Sequence, residues 1–346
     1  MKKKFPQDAV IILDKKILFP EILKYLYKFN IKKIIILNFT NLKLNLSDIK
    51  KYEFPFNIYN FKKKKFQYSV LFLKKILKKL NNNFFIFKAS KFINLNLFDL
   101  FKKFNQSSNK LILNVVNIKK RIKNTEIYIL NKNQLKKYNF SFDELENNKD
   151  YILNFSKEKF LELSNKKIDG KIIYNFFSNI YSKAILLDRD GVINKDKGYV
   201  GFKNQFIFQR GAVKAIKYLN EKGYNIFVVS NQSGIARGYF TDKDVKYLHN
   251  FLRDQLMRKY CFINKIYYSP FHKNGVIKQY TKNSQCRKPG IKLFNELTRE
   301  WKIKKRKTIL MIGDQITDMQ FAQNAKIKGA LFKSQNLYEF IKKLSI

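Results

Sequence analysis

The stretch "LLDRDGVIN", residues 186–194, decides how the chain is read. It closes an apolar run, "AILL", on Asp188, then sets a second carboxylate, Asp190, two residues further along and directly ahead of Gly191. A short apolar run of this kind reads as a buried strand, and side chains two apart in extended chain leave on the same face. Both carboxylates can then face one site while Arg189 turns away, and Gly191 lets the backbone bend beneath them.

Working outward, the pattern repeats. Strands are expected at 184–188, 225–230, 265–269 and 308–313, alternating with helices near 211–222, 242–259, 290–301 and 317–325. Thr241 and Asp244 have the spacing of a capping box for the second of these helices. Regular β/α alternation predicts a doubly wound parallel sheet, whose ligands bind beyond the carboxyl ends of its strands. The polar clusters fall at such ends: Asp188 after "AILL", Ser230 and Asn231 in "IFVVSNQSG", Asp314 and Asp318 in "TILMIGDQITD". Arg287 and Lys288 come from "CRKPG", just before the third helix.

Carboxylates, a hydroxyl, an amide and cations gathered in one crevice describe metal-assisted phosphoryl transfer. One carboxylate can attack phosphorus, but a dianionic phosphate repels it unless a divalent cation and a lysine neutralise the oxygens. A second carboxylate must protonate the departing alkoxide and then take a proton from water.

The motifs "DRDGV", "VVSN", "RKP" and "GDQITD", in this order, resemble those of haloacid-dehalogenase-type phosphatases over residues 183 to 335. Within them, "DRDGVINKDKGYV" and "NQSGIARGYFT" are similar to the heptose 1,7-bisphosphate 7-phosphatases of surface-heptose (lipopolysaccharide) biosynthesis. Histidinol phosphatases share "DRDG" and "CRKP" but usually differ after "NQ". The resemblance implies Asp188 as nucleophile, Asp190 as general acid and base, and Lys288 as the phosphate-stabilising cation. It implies Mg²⁺ on Asp188, the backbone carbonyl of Asp190, and Asp314. Ser230 and Asn231 would hold the transferring phosphate; Gln232 and Arg237 join the substrate-binding set, and Arg287 is a candidate for the sugar or its second phosphate.

The chain departs from that pattern in two places. Where the family has a C-x-H…C-x-C zinc loop, residues 269–286 read "SPFHKNGVIKQYTKNSQC", with Ser269, Phe271 and Ser284 in place of three of the four ligands. A closed zinc site needs four, so no zinc is expected, and His272 and Cys286 have no metal role. Gln315 stands where a lysine often follows the motif-four aspartate. His249 reads as a packed or surface histidine, Cys261 as core, and Asp318 either as a group beside the metal or as a helix-start charge.

Glycine and arginine divide the chain. Of 12 glycines only Gly170 precedes residue 181, and Arg121 is the only arginine there. Domains are therefore expected at 1–180 and 181–346. The first half carries strand patterns "AVIIL" (9–13), "KIIIL" (33–37), "FFIF" (84–87), "KLILNVV" (110–116) and "TEIYIL" (125–130), with helical "FPEILKYLYKFN" and "SVLFLKKILKKL" between them. An α/β domain follows. Its order resembles a sugar-1-phosphate nucleotidylyltransferase, without the chemistry: "DKKILFPE" lacks a glycine-rich loop, and "FFIFKASKF" has Lys88, Ala89 and Ser90 where metal-binding aspartates are expected. A decayed, non-catalytic domain is the expectation, with retained sugar-nucleotide binding as the alternative.

Lys+Arg of 71 against Asp+Glu of 26 gives a formal +45, shared between the halves as 38 against 14 and 33 against 12. Charge spread this evenly, beside abundant Asn, Ile, Phe and Tyr, reads as A/T-rich codon drift; a nucleic-acid-binding protein is the different-class alternative. Two cysteines build no disulfide framework, and no 18 apolar residues run together. The opening "MKKKFPQDAVIILDKK" is too short in its apolar part for a signal peptide. A cytoplasmic enzyme acting on a small phosphorylated sugar, away from membranes, is expected.

Overall fold

The computed structural model describes residues 5–13, 18–38, 56–62, 78–81, 83–106, 112–118, 121–131, 152–156, 160–162, 170–304, 308–344 and 346. The chain divides into two compact units, Met1–Ile168 and Asp169–Ile346. The helix Gly170–Ile180 therefore goes with the second unit, not with the glycine-poor first half.

In the first unit the described elements are β1 (Asp8–Leu13), α1 (Phe19–Lys28), β2 (Lys33–Asn38), β3 (Asn57–Lys62), β4 (Asn83–Lys88), β5 (Lys91–Ile93), α2 (Leu97–Gln106), β6 (Ile112–Ile118), β7 (Arg121–Asn131), β8 (Ile152–Ser156) and β9 (Phe160–Glu162). Seven strands form one sheet in the order β3-β2-β1-β4-β7-β6-β8, parallel from β3 to β4, with β7 antiparallel to both of its neighbours. All five strands expected here are present; the helix expected over 69–80 lies outside the described residues except at its end. The core is aromatic: Phe5 meets Phe85, Phe98 and Phe101, and Tyr25 meets Phe29, Phe87 and Phe92. At the carboxyl end of β4, Ala89 and Ser90 are buried, and Ala89 donates its N–H to Ile12 O at 2.8 Å.

The second unit contains α3 (Gly170–Ile180), β10 (Ala184–Leu187), α4 (Ala212–Glu221), β11 (Asn225–Asn231), α5 (Asp242–Met257), β12 (Lys265–Ser269), α6 (Lys292–Glu300), β13 (Ile309–Gly313), α7 (Ile316–Asn324), β14 (Lys328–Leu331) and α8 (Leu337–Lys343). Its sheet is wholly parallel, in the order β12-β11-β10-β13-β14. The chain winds outward on one side of β10, then returns to wind outward on the other. Such a reversal opens a crevice at the carboxyl ends of the two strands it separates, here β10 and β13.

The strand alternation builds the two faces. Ile185, Leu187, Ile226, Val228, Leu310 and Ile312 share one core with Ala212, Ile216 and Leu219 of α4. The intervening Phe227 turns to the other face, where it meets the fully buried Trp301, which in turn meets Tyr181. Period-two burial on both faces explains why these strands read as continuous apolar runs. Thr241 caps α5 as its spacing predicts, with Asp244 N–H donating to Thr241 Oγ1 and Thr241 N–H donating to Asp244 Oδ2. α3, β14 and α8 were not foreseen: β14 is a four-residue edge strand with Gly329 within it.

Candidate active site

The register of the parallel sheet fixes the site. Leu187, the last residue of β10, pairs with Val228 and Ile312. Asp188 follows it and donates its N–H to Ile312 O at 3.0 Å, so its side chain starts in the crevice between the strands. Gly191, at φ 81°, turns the chain back, and its N–H reaches Asn194 O at 2.7 Å. A Cβ at 191 would stand 2.2 Å from Asp314 Oδ2, so only glycine lets the first loop pass so close to the end of β13.

Asp188, Lys288, Asp314 and Asp318 meet at the centre. Lys288 Nζ lies 3.0 Å from Asp188 Oδ1 and 2.5 Å from Asp318 Oδ1, with the lysine almost fully buried. Burial works against its charge, but the two carboxylates outweigh it and hold the ammonium above its ordinary pKa, so it stays protonated. Burial pushes Asp188 up to about 7, against the pull of Lys288 and with help from Asp318 and Asp190. Asp314 is raised too, first by burial; its Oδ2 accepts from Gln315 Nε2 at 2.9 Å, while its Oδ1 is buried without a hydrogen-bond partner.

Asp188, Asp314 and Asp318 each offer a carboxylate oxygen within 4.8 Å of the others. Three desolvated carboxylates against one ammonium leave an excess of negative charge. All-oxygen donors with an unpartnered buried oxygen suit a hard divalent cation. The donors therefore fit the metal expected at 188 and 314 and add Asp318, which the chain spacing alone left between two readings. Asp318 also accepts from Gln315 N at 3.1 Å, at the start of α7. Gly313 makes room for it, since a Cβ there would lie 2.2 Å from Asp318 Oδ2.

Asp190 is held by several donors. Asn194 Nδ2 reaches its Oδ1 at 2.9 Å, Gln232 Nε2 its Oδ2 at 2.8 Å, and Arg189 closes on it through Nε and Nη2 at 2.9 to 3.2 Å. This corrects the expectation that Arg189 merely turns away: it leaves the cavity, but its guanidinium folds back onto the neighbouring carboxylate.

A cavity of about 280 Å³ opens over these groups and is lined by Asp188, Asp190, Asn231, Gln232, Arg287 and Lys288, among others. Ser230 is buried beneath it, its Oγ accepting from Gln232 Nε2 at 2.8 Å. The Asn231 amide is engaged at both ends with the backbone of Lys288, at 2.9 and 3.2 Å.

Arg237 does not line the cavity itself but is near enough to Arg287 to act on its charge. Its guanidinium lies 5.8 Å from the ring of Tyr199, a lining residue, and its Nη2 is 3.4 Å from His272 Nε2. Burial and then Arg237 hold Arg287 below its ordinary pKa. Arg237 Nε and Arg287 Nη1 are buried without a hydrogen-bond partner, and no carboxylate pairs with either arginine among the described residues.

The 269–286 loop is held without cysteine clusters. The N–H groups of Val276 and Ile277 both donate to Ala236 O at 2.7 and 3.0 Å, and Lys282 covers the Phe271 ring at 4.4 Å. His249 is buried, as one reading had it, and Cys261 is buried core, where burial pushes its thiol up to about 12. No helix among the described residues is long and apolar enough to cross a membrane.

Residues 125–326 match the haloacid dehalogenase-like hydrolase family. A D-glycero-beta-D-manno-heptose-1,7-bisphosphate 7-phosphatase of Rhodopseudomonas palustris is 35% identical over 163 residues, 47% of this chain and 90% of the relative. The crystal structure of D,D-heptose 1,7-bisphosphate phosphatase from B. bronchiseptica, complexed with magnesium and phosphate, is 25% identical, with TM-score 0.40 over 46% of this chain and 86% of that one. The inositol-1-phosphate CTP transferase from T. maritima is 9% identical, with TM-score 0.36 over 50% of this chain and 96% of that one.

Proposed function

We propose, for a chain that belongs to the haloacid dehalogenase-like hydrolases and is a phosphatase related to the heptose 1,7-bisphosphate 7-phosphatases, that its own substrate is a sugar bisphosphate of the heptose 1,7-bisphosphate type, cleaved at the 7-phosphate. The observation that carries this choice is Arg287 in the cavity wall with Arg237 near enough to act on its charge, neither having a carboxylate partner among the described residues. Such a pair attracts an anion at the far end of the substrate, as a second phosphate supplies. It repels the ammonium of histidinol phosphate, which disfavours that substrate.

The chemistry follows from the placement of the side chains. An Asp188 carboxylate oxygen forms a bond to phosphorus as the bond from phosphorus to the sugar oxygen breaks. Asp190 gives its proton to the departing oxygen. It then takes a proton from the water that attacks phosphorus, the acyl-phosphate bond breaks, and inorganic phosphate leaves with Asp188 restored. Lys288 stands beside Asp188 throughout, balancing the charge of the transferring group. Asp188, the Asp190 backbone carbonyl, Asp314 and Asp318 would hold Mg²⁺, which when bound offsets negative charge on phosphate and carboxylates. Asn231 and Gln232 act mainly by fixing Lys288 and Asp190.

The first unit, within residues 1–180, is read as a nucleotidyltransferase-like domain that has lost its chemistry. Buried Ala89 and Ser90 at the end of β4 support this, since neither can ligate a metal as a carboxylate does. The test is direct hydrolysis of heptose 1,7-bisphosphate and histidinol phosphate with Mg²⁺. A higher kcat/KM for the bisphosphate is expected; a higher value for histidinol phosphate overturns the substrate.

A further inference from the structure

We propose that Arg189 and His249 are positioning residues, outside the reacting centre, that aim the carboxylate of Asp190 at the leaving group. The inference rests on Asp190 being the general acid. Arg189 is fully buried, and a buried guanidinium persists only where its N–H groups are satisfied. Nε and Nη2 donate to the Asp190 carboxylate at 2.9 to 3.2 Å, Nη2 also donates to Val200 O, and Nη1 points at His249 Nε2 at 3.2 Å. A guanidinium cannot accept a hydrogen bond, so His249 Nε2 is the acceptor and the ring is neutral, with its proton on Nδ1. Burial, then Arg189 and Arg253, hold His249 well below its ordinary pKa, in keeping with that neutral ring.

His249 is itself fixed. It projects from the middle of α5 and is buried, with its ring edge-on to Tyr268 at 5.1 Å. The Tyr268 hydroxyl donates to Asp242 at the start of the same helix, at 2.6 Å. A rigid path therefore runs from α5 through His249 and Arg189 to the carboxylate that must meet the departing oxygen. Without it Asp190 keeps only the amides of Gln232 and Asn194. Proton transfer needs a heavy-atom approach within hydrogen-bond reach, and a carboxyl free to rotate makes that approach less often.

A purely structural ion pair predicts equal damage to every substrate, whereas a positioning role predicts damage in proportion to the leaving group's need for a proton. The measurement is kcat/KM, which reports the steps through phosphoryl transfer, for heptose 1,7-bisphosphate and for p-nitrophenyl phosphate, whose phenolate departs unaided. Arg189→Lys and His249→Phe are expected to lower the first by about 100-fold and the second by less than about 3-fold. His249→Gln, which keeps an acceptor near Nε2, is expected to recover most of the loss. Equal losses on both substrates, a lowered melting temperature with an unchanged substrate ratio, or no loss on either, overturns the proposal. Asp190→Asn separates the levels: if it shows the contrast and the Arg189 and His249 variants do not, only the positioning role fails. If Asp190→Asn itself shows no contrast, the assignment of Asp190 falls, and the positioning role with it.

Discussion

Asn231 grips Lys288 by both ends of its main chain, its Oδ1 accepting from the lysine N–H at 2.9 Å and its Nδ2 donating to the lysine carbonyl at 3.2 Å. The two residues are 57 apart in sequence, so a strand-end amide on β11 sets where the ammonium from the 286–290 segment meets Asp188. Replacing Asn231 with alanine is expected to lower kcat by about 100-fold, the order seen when one preorganised stabilising group is lost. Steady-state kinetics at saturating substrate check this; a change in KM alone contradicts it.

Lys288 is the cation between two buried carboxylates, so Lys288→Met leaves Asp188 and Asp318 facing each other unpaired. Removing one partner of a buried pair costs about 3–5 kcal/mol. Urea unfolding is expected to show a loss of that order, together with loss of turnover. Added Mg²⁺ is expected to recover part of the stability, since it would occupy the same negative centre, and none of the activity.

Gly313→Ala places a methyl group where Asp318 stands, whereas a Cβ at Gly170 meets nothing within 4 Å. The first substitution is expected to cut activity at least about 10-fold by displacing Asp318 from Lys288. The second, on the first turn of α3, is expected to be neutral or to stabilise by up to about 1 kcal/mol. Equal behaviour of the two variants in activity and thermal melts contradicts the crowding argument.

The sequence made the second unit legible and left part of its site hidden, for physical reasons. Buried parallel strands are continuous apolar runs, so "AILL" and "TILMIG" announce β10 and β13 and deliver Asp188 and Asp314 to one crevice. The C-terminal edge strand β14 is short and has no buried residue, which gives it no such run. Arg189 illustrates the limit of spacing arguments: alternation says which way a side chain leaves the backbone, but a long guanidinium can curl back to the next residue in the chain. Its acceptor His249 lies 60 residues downstream, a pairing that only the fold creates. Asp318 was visible as a motif, but only the fold shows that its two readings coexist, one oxygen capping α7 and the other meeting Lys288.

His249 makes stability depend on pH in a defined direction. Its folded-state pKa lies well below the ordinary 6.5, so below that pH the unfolded chain takes up a proton that the folded chain refuses. The stabilisation is present above about 6.5 and is lost as pH falls, by up to about 1.4 kcal/mol per pH unit. Denaturant unfolding between pH 7 and 5 is expected to show a steeper loss for the wild type than for His249→Gln. Parallel curves would falsify the neutral, buried histidine.

A divalent cation that binds only the folded cluster of Asp188, Asp314 and Asp318 stabilises it by mass action. At about 100 times Kd the gain is about 2.7 kcal/mol. The melting temperature is expected to rise with Mg²⁺ and to fall again with chelator, and Asp314→Asn is expected to remove most of the response. A rise of the same size in that variant places the cation elsewhere.

The central claim is that Asp188 becomes phosphorylated. Mixing the enzyme with ³²P-labelled substrate, quenching in acid within the first turnover and mapping the labelled peptide tests it most directly. An acid-stable, hydroxylamine-sensitive label on the peptide containing Asp188, absent from Asp188→Asn, is the expected result. A label on another residue, or full turnover by Asp188→Asn, contradicts the account.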